Sequence, residues 1–174
     1  MKLLNLFLCL VLTSTAVAKD KAYSAYTPLT DAACQTLETE RTGDYYRAEC
    51  PAKGGYTVEV VGSDLRYGVA LIYGKRTVLY QVAEPFNIGK KAEWRFRQHH
   101  GKKDYYALIY RAYIARFDAQ TGDFLPRNKD RQVLVVIRLN KEKSCLIGVI
   151  KQGADMNKKA RQLADNPSAA CIEQ

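Results

Sequence analysis

The chain has 174 residues, with 27 Lys and Arg against 18 Asp and Glu, for a formal charge of +9. That length is one domain's worth, enough for its own core. Beyond residue 18 no apolar segment approaches the roughly 20 residues that span a bilayer, which argues against an integral membrane protein. The positive balance favours anionic partners such as lipopolysaccharide, acidic lipid or an acidic protein.

The first eighteen residues read as a secretory signal. Lys2 is a positive start, Leu3 to Leu12 is apolar but for Asn5, and Ala16-Val17-Ala18 supplies small residues for cleavage. Cys9 lies too near the start, behind a large Leu8, to be a lipidation site. Cleavage after Ala18 leaves residues 19–174 as a single globular domain of charge +8, because only Lys2 is lost. Four cysteines remain, Cys34, Cys50, Cys145 and Cys171. An even number in an exported chain predicts two disulfides; of the three pairings, local closure favours Cys34–Cys50 and Cys145–Cys171. Zinc is the rival, but there is no C-x-x-C pair and no histidine near a cysteine.

In chain order, residues 19–28 read as a polar and aromatic tail or strap. Thr30 is placed to cap a helix over 31–38, with Ala33 and Leu37 inward and Thr42-Gly43-Asp44 as its stop. Strands follow. Tyr45 to Cys50 is the first, then a turn over 51–55, and Tyr56, Val58 and Val60 form one face of the second. Gly62-Ser63-Asp64-Leu65 turns the chain into Arg66–Tyr73, and Gly74-Lys75 leads to Thr77–Val82. After a connection over Pro85–Gly89, Glu93–Gln98 alternates, with Trp94 and Phe96 on one face and Arg95 and Arg97 on the other. His99 to Lys103 reads as a hairpin tip. Tyr105–Arg116 is apolar on both faces, which suits a central strand. A polar loop over 118–130 precedes the strands Gln132–Leu139 and Cys145–Lys151. Gly153 then opens a helix with Met156, Ala160, Leu163 and Ala164 on one face, stopped by Asn166-Pro167. The predicted class is α+β: a predominantly antiparallel sheet of about seven or eight strands, an N-terminal and a C-terminal helix, and two disulfides.

No catalytic set stands out. His99 and His100 are adjacent and would point to opposite sides of a strand. No serine sits in a G-x-S-x-G frame, no second acid can be placed beside Asp64, and Gly74-Lys-Arg-Thr77 lacks phosphate-loop spacing. No cofactor or metal is expected. The one candidate site is an anion-binding patch of Arg95, Arg97, Lys102 and Lys103, weighed against a plain solvated face. Nucleic acid is not an expected partner, because the interleaved Trp94 and Phe96 should point into the core rather than stack on bases.

Several ordered pieces carry a resemblance. They are Tyr26-Thr-Pro-Leu29, Cys34, Cys50-Pro51 with Gly54-Gly55-Tyr56, Asp64-Leu65-Arg66, and Phe86-Asn87 with Gly89. Ala92-Glu93-Trp94-Arg95, Leu134–Leu139, Cys145, Asn157, Ala160-Arg161 and Ala164-Asp165 complete the set. Together the chain resembles a family of uncharacterised small exported proteins of Gram-negative bacteria. The resemblance implies a periplasmic location and a shared fold, and no activity; the His99–Lys103 cluster lies outside it.

The expected function is a non-enzymatic periplasmic binding or interaction protein of the cell envelope, whose partner is an anionic envelope component or an acidic protein. Basic tips at Lys75-Arg76, Lys102-Lys103 and Lys141–Lys143 support it. Two alternatives stay open. One is a hydrolase-like envelope enzyme with a site assembled from distant residues. The other is a lysozyme-type inhibitor, against which the charge of +8 argues because many lysozymes are basic.

Overall fold

Alternating apolar residues give ten strands among the described residues rather than the expected seven or eight, arranged as two antiparallel five-stranded sheets. The computed structural model describes residues 21–39, 45–63, 66–80 and 87–172. The expected signal segment, the Thr42-Gly43-Asp44 stop, Asp64-Leu65 and residues 81–86 lie outside them. The first sheet joins β1 (Ala22–Pro28), β7 (Asn87–His99), β8 (Lys102–Ile114), β9 (Arg131–Arg138) and β10 (Cys145–Lys151), in that order across the sheet. The second joins β2 (Gln35–Thr39), β3 (Tyr45–Lys53), β4 (Tyr56–Ser63), β5 (Arg66–Tyr73) and β6 (Arg76–Leu79).

The sheets face each other across the main core. Tyr56, Val58 and Val60 of β4 and Val69 and Leu71 of β5 meet Trp94 of β7 and Leu108 and Tyr110 of β8. The other face of the first sheet carries a second core. Ala107, Ile109, Leu134, Val136 and Ile147 pack there against Met156, Ala160 and Ala164 of α1 (Met156–Ala164). β8 is therefore buried on both faces, as its double-sided apolar pattern predicts. Gly148 of β10 lies under the helix; a Cβ there would stand 2.3 Å from Leu163 Cδ2, so the glycine lets the helix settle close to the strand.

The α+β expectation with a helix at each end is corrected to a mostly β architecture. Among the described residues α1 is the one α-helix. The predicted N-terminal helix stops after a single turn, in which the amides of Ala33 and Cys34 both donate to the Thr30 carbonyl. The Cys34–Cys50 disulfide, with Cα atoms 4.2 Å apart, then lays the chain beside β3. Gln35–Thr39 pairs with Tyr46–Glu49 through a bulge at Leu37. Pairing with β3 supplies backbone hydrogen bonds that compete with those of a helix, and Leu37 ends up 42% exposed instead of inward. The supposed tail is also a strand: Ala22–Pro28 pairs along its length with Lys91–Arg97.

A buried relay joins the two sheets. The indole Nε1 of Trp94 donates to Thr27 Oγ1 at 2.9 Å, and the Thr27 hydroxyl donates to the Pro51 carbonyl of β3 at 3.0 Å. Trp94 and Thr27 are both fully buried, so each polar atom needs this partner. The second disulfide, Cys145–Cys171, holds the segment after α1 against β10. Both bridges match the pairing favoured by local closure. No helix among the described residues is long and apolar enough to cross a membrane.

Candidate functional site

Up-and-down strand order places four connections at one end of the sandwich. Gly54-Gly55 joins β3 to β4, Gly74-Lys75 joins β5 to β6, His100-Gly101 joins β7 to β8, and residues 139–144 join β9 to β10. They touch or share grooves. The Gly74 amide donates to the Gly55 carbonyl, the Ser144 amide donates to the Val78 carbonyl, and the Gly54 turn packs on the Tyr105 ring. One groove is walled by Gly54, Lys103 and Lys141, and another by Tyr73, Lys75, Arg76 and Lys141. The hairpin at His100-Gly101 is a tight two-residue turn: both residues have positive φ, 47° and 78°, and His99 pairs with Lys102.

This end is strongly positive. It carries Lys53, Lys75, Arg76, Lys102, Lys103, Lys141 and Lys143, against Asp104 and Glu142. All these lysines and Arg76 are exposed except the half-buried Lys53. The loop 115–130 at the other end mixes Arg116, Arg127 and Lys129 with Asp118, Asp123 and Asp130.

Of the four anion-patch candidates, Arg95 is drawn into the fold, while Arg97, opposite Asp104, neighbours the Gln98–Lys103 pair. Lys102 and Lys103 stand at the basic end, with Lys103 Nζ 5.2 Å from the Phe96 ring centroid. Arg95 and Arg97 lie farther along β7, on the face that carries α1. Arg97 stacks on the Tyr106 ring at 4.4 Å. Arg95 is only 6% exposed and is already engaged: Nε and Nη2 donate to the two oxygens of Asp165 at 2.9 and 2.6 Å, and Nη1 donates to Ser24 Oγ. It holds the helix down rather than facing solvent. Phe96 is buried like Trp94 and stacks between Tyr23 and Tyr105.

That ion pair belongs to a chain of polar contacts along the flank of α1. Ser24 donates to Glu93, Arg161 forks onto both Glu93 oxygens at 2.7 and 3.1 Å, and Tyr106 donates to Asp165 at 2.6 Å. Burial raises the Asp165 carboxyl, but the hydrogen bonds from Arg95 and Tyr106 outweigh it and hold it below the usual carboxylate range. Burial and the Asp165 carboxylate push the Tyr106 hydroxyl up to about 12. The Glu93 hydrogen bond is the largest influence holding Arg161 above its ordinary value. Neither Glu93 nor Asp165 is left as a free acid or base.

Beside this flank a cleft of about 340 Å³ opens between the start of α1 and strands β7 and β8. Ile109, Leu134 and Ala160 form its apolar floor; Lys90, Lys91 and Arg111 bring cations to its rim. A bulge makes room for the lysines. From Ile88 to Ala92 β7 advances four residues while β8 advances two, from Ala112 to Tyr110. Gly89 sits in that bulge against Arg111, where an added Cβ would lie 2.8 Å from the Arg111 Cβ. Sequence reading missed both the cleft and the polar chain, whose members are about 60 to 70 residues apart. The unusual Gly-Lys-Lys interruption inside a strand was the one local signal for the cleft. No family model, curated protein or solved structure matches this chain.

Proposed function

We propose that this protein is a non-enzymatic binding or interaction protein of the bacterial envelope that works after export and docks on an anionic envelope component through its basic end. The observation that carries the reading is the convergence of four turns, which gathers basic tips from distant parts of the chain into one exposed surface. The two disulfides fit an oxidising compartment, and the Ala16-Val17-Ala18 pattern fits cleavage that leaves Lys19 first. Glu93 and Asp165 serve as arginine partners, which favours binding over acid–base catalysis.

Charge-driven docking is salt-sensitive, because the Debye length is about 8 Å at physiological ionic strength. The test is co-sedimentation of the mature protein with lipopolysaccharide, and separately with vesicles containing phosphatidylglycerol, at low and moderate salt. Binding should weaken as salt rises and should drop sharply in a Lys102→Glu, Lys103→Glu, Lys141→Glu variant. Equal binding by this variant, or binding indifferent to salt, would sink the reading. N-terminal sequencing of protein from the envelope fraction tests export; retention of residues 1–12 would contradict it.

A further inference from the structure

We propose that the cleft between α1 and the β7 bulge is a second, separate site, which takes a small amphipathic anion: a carboxylate or phosphate head on an apolar body. Its volume, about 340 Å³, falls within the lower range of small-molecule pockets. Its construction is two-toned. Ile109 and Leu134 are core residues of the helix-side cluster, and the helix leaves them to floor the cleft. Tyr26 and Tyr113 wall it, and Asn157 offers an amide from the first turn of the helix.

Cations outnumber acids at the polar rim. Among the described residues no carboxylate forms an ion pair with Lys90 or Lys91. Lys91 Nζ lies 4.9 Å from the Tyr26 ring centroid, and the exposed Lys90 stands beside it. Arg111 is held in place by donating to Gln132 Oε1 at 2.9 Å and to Met156 Sδ at 3.3 Å, which fixes its charge at the wall. Among the described residues Glu93 is the single acid in the lining, and the Arg161 fork offsets it. Three cations over an apolar floor select a ligand with a compact negative head and a hydrophobic body. A neutral apolar molecule would leave the cations unpaired, and a bare anion would leave the floor wet.

The site differs from the basic end in its residues and in its place on the fold, so the two proposals fail separately. The experiment is an amide-resolved NMR titration of the mature protein with octanoate and with octyl phosphate, each below its micelle concentration. Octanamide, acetate and inorganic phosphate are the controls. Saturable shifts centred on Lys90, Lys91, Arg111 and Asn157 are expected from at least one of the two amphiphiles, and a preference between them names the head group. A Lys90→Gln, Lys91→Gln variant, altered only at exposed positions, should bind at least tenfold more weakly, and Lys90→Arg, Lys91→Arg should retain binding. The proposal is overturned if octanamide binds as well as octanoate, if acetate or phosphate saturates the same amides equally well, if neither amphiphile saturates them, or if the Gln variant binds unchanged.

Discussion

Asp165, the residue immediately after α1, accepts both arms of the Arg95 guanidinium from the middle of β7, closing a fork between positions 70 residues apart. The apolar stripe of α1 buries Met156, Ala160 and Ala164, and Leu163 packs beside them over Gly148. The fork adds a polar anchor to that contact. In Asp165→Asn the buried Arg95 keeps its charge and loses its forked carboxylate, with Glu93 at 3.8 Å as its remaining charged neighbour, a change expected to cost about 2 kcal/mol. Chemical denaturation followed by the fluorescence of Trp94, the single tryptophan, measures the loss. A change below about 0.5 kcal/mol would assign the attachment to the apolar stripe alone.

The same cluster predicts a pH profile with two limbs. The Asp165 carboxyl sits below its ordinary value of 3.8 in the folded chain, so its contribution is present above that value and is lost as pH falls through the folded one. Tyr106 behaves in the opposite sense. Its folded hydroxyl is pushed from 10.0 up to about 12, so the unfolded chain releases that proton first and stability declines as pH rises between the two. Urea midpoints across both ranges should show a shallower acid limb in Asp165→Asn and a shallower alkaline limb in Tyr106→Phe. Limbs unchanged in both variants would remove the cluster from the pH response.

Thr27 supplies the partner for the buried Trp94 indole. Thr27→Val preserves shape and deletes the hydroxyl, leaving the indole N–H and the Pro51 carbonyl without this link. A cost of about 1–3 kcal/mol is expected for such an orphaned buried group. Thr27→Ser should recover part of it. If Val and Ser variants unfold at the same urea concentration, the relay contributes nothing.

The disulfides close loops of sequence separation 16 and 26. Loop-closure entropy assigns about 3 kcal/mol to the first and about 3.5 kcal/mol to the second. Paired Cys→Ala replacements of each bridge should lower stability by amounts of that order. Non-reducing peptide mapping checks the pairing independently, and a Cys34–Cys145 peptide would contradict it.

Most elements from Tyr45 onward were legible because their signals are local, although the strand read from Glu93 begins at Asn87, inside the expected connection. Tyr56, Val58 and Val60 alternate, Tyr105–Arg116 is apolar on both faces, and Met156, Ala160 and Ala164 recur at helical spacing. The segment before Tyr45 was not, because its structure is set by partners far along the chain. Ala22–Pro28 is mixed in polarity, with Thr27 turned inward only because Trp94 waits for its hydroxyl. Gln35–Thr39 has a plausible cap and helix-forming residues, and becomes a strand through β3 and Cys50. For the candidate patch, alternation placed Arg95 opposite Trp94, but which of the two faces the helix would cover lies outside any local pattern. Lys102 and Lys103 were found as a tip; that four tips meet follows from strand order alone.

Cys145–Cys171 has a consequence that reaches past the stability of one molecule. β10 is the last strand of its sheet, with Val149 41% exposed on it. The Ile172 amide donates to the Leu146 carbonyl at 2.8 Å, so the tethered tail occupies part of that open border. Reduction of the bridge releases the tail and uncovers backbone groups ready to pair with another strand. In a reducing compartment the hazard for this chain is then self-association along an uncovered edge. Formation of this single cystine acts as its solubility guard.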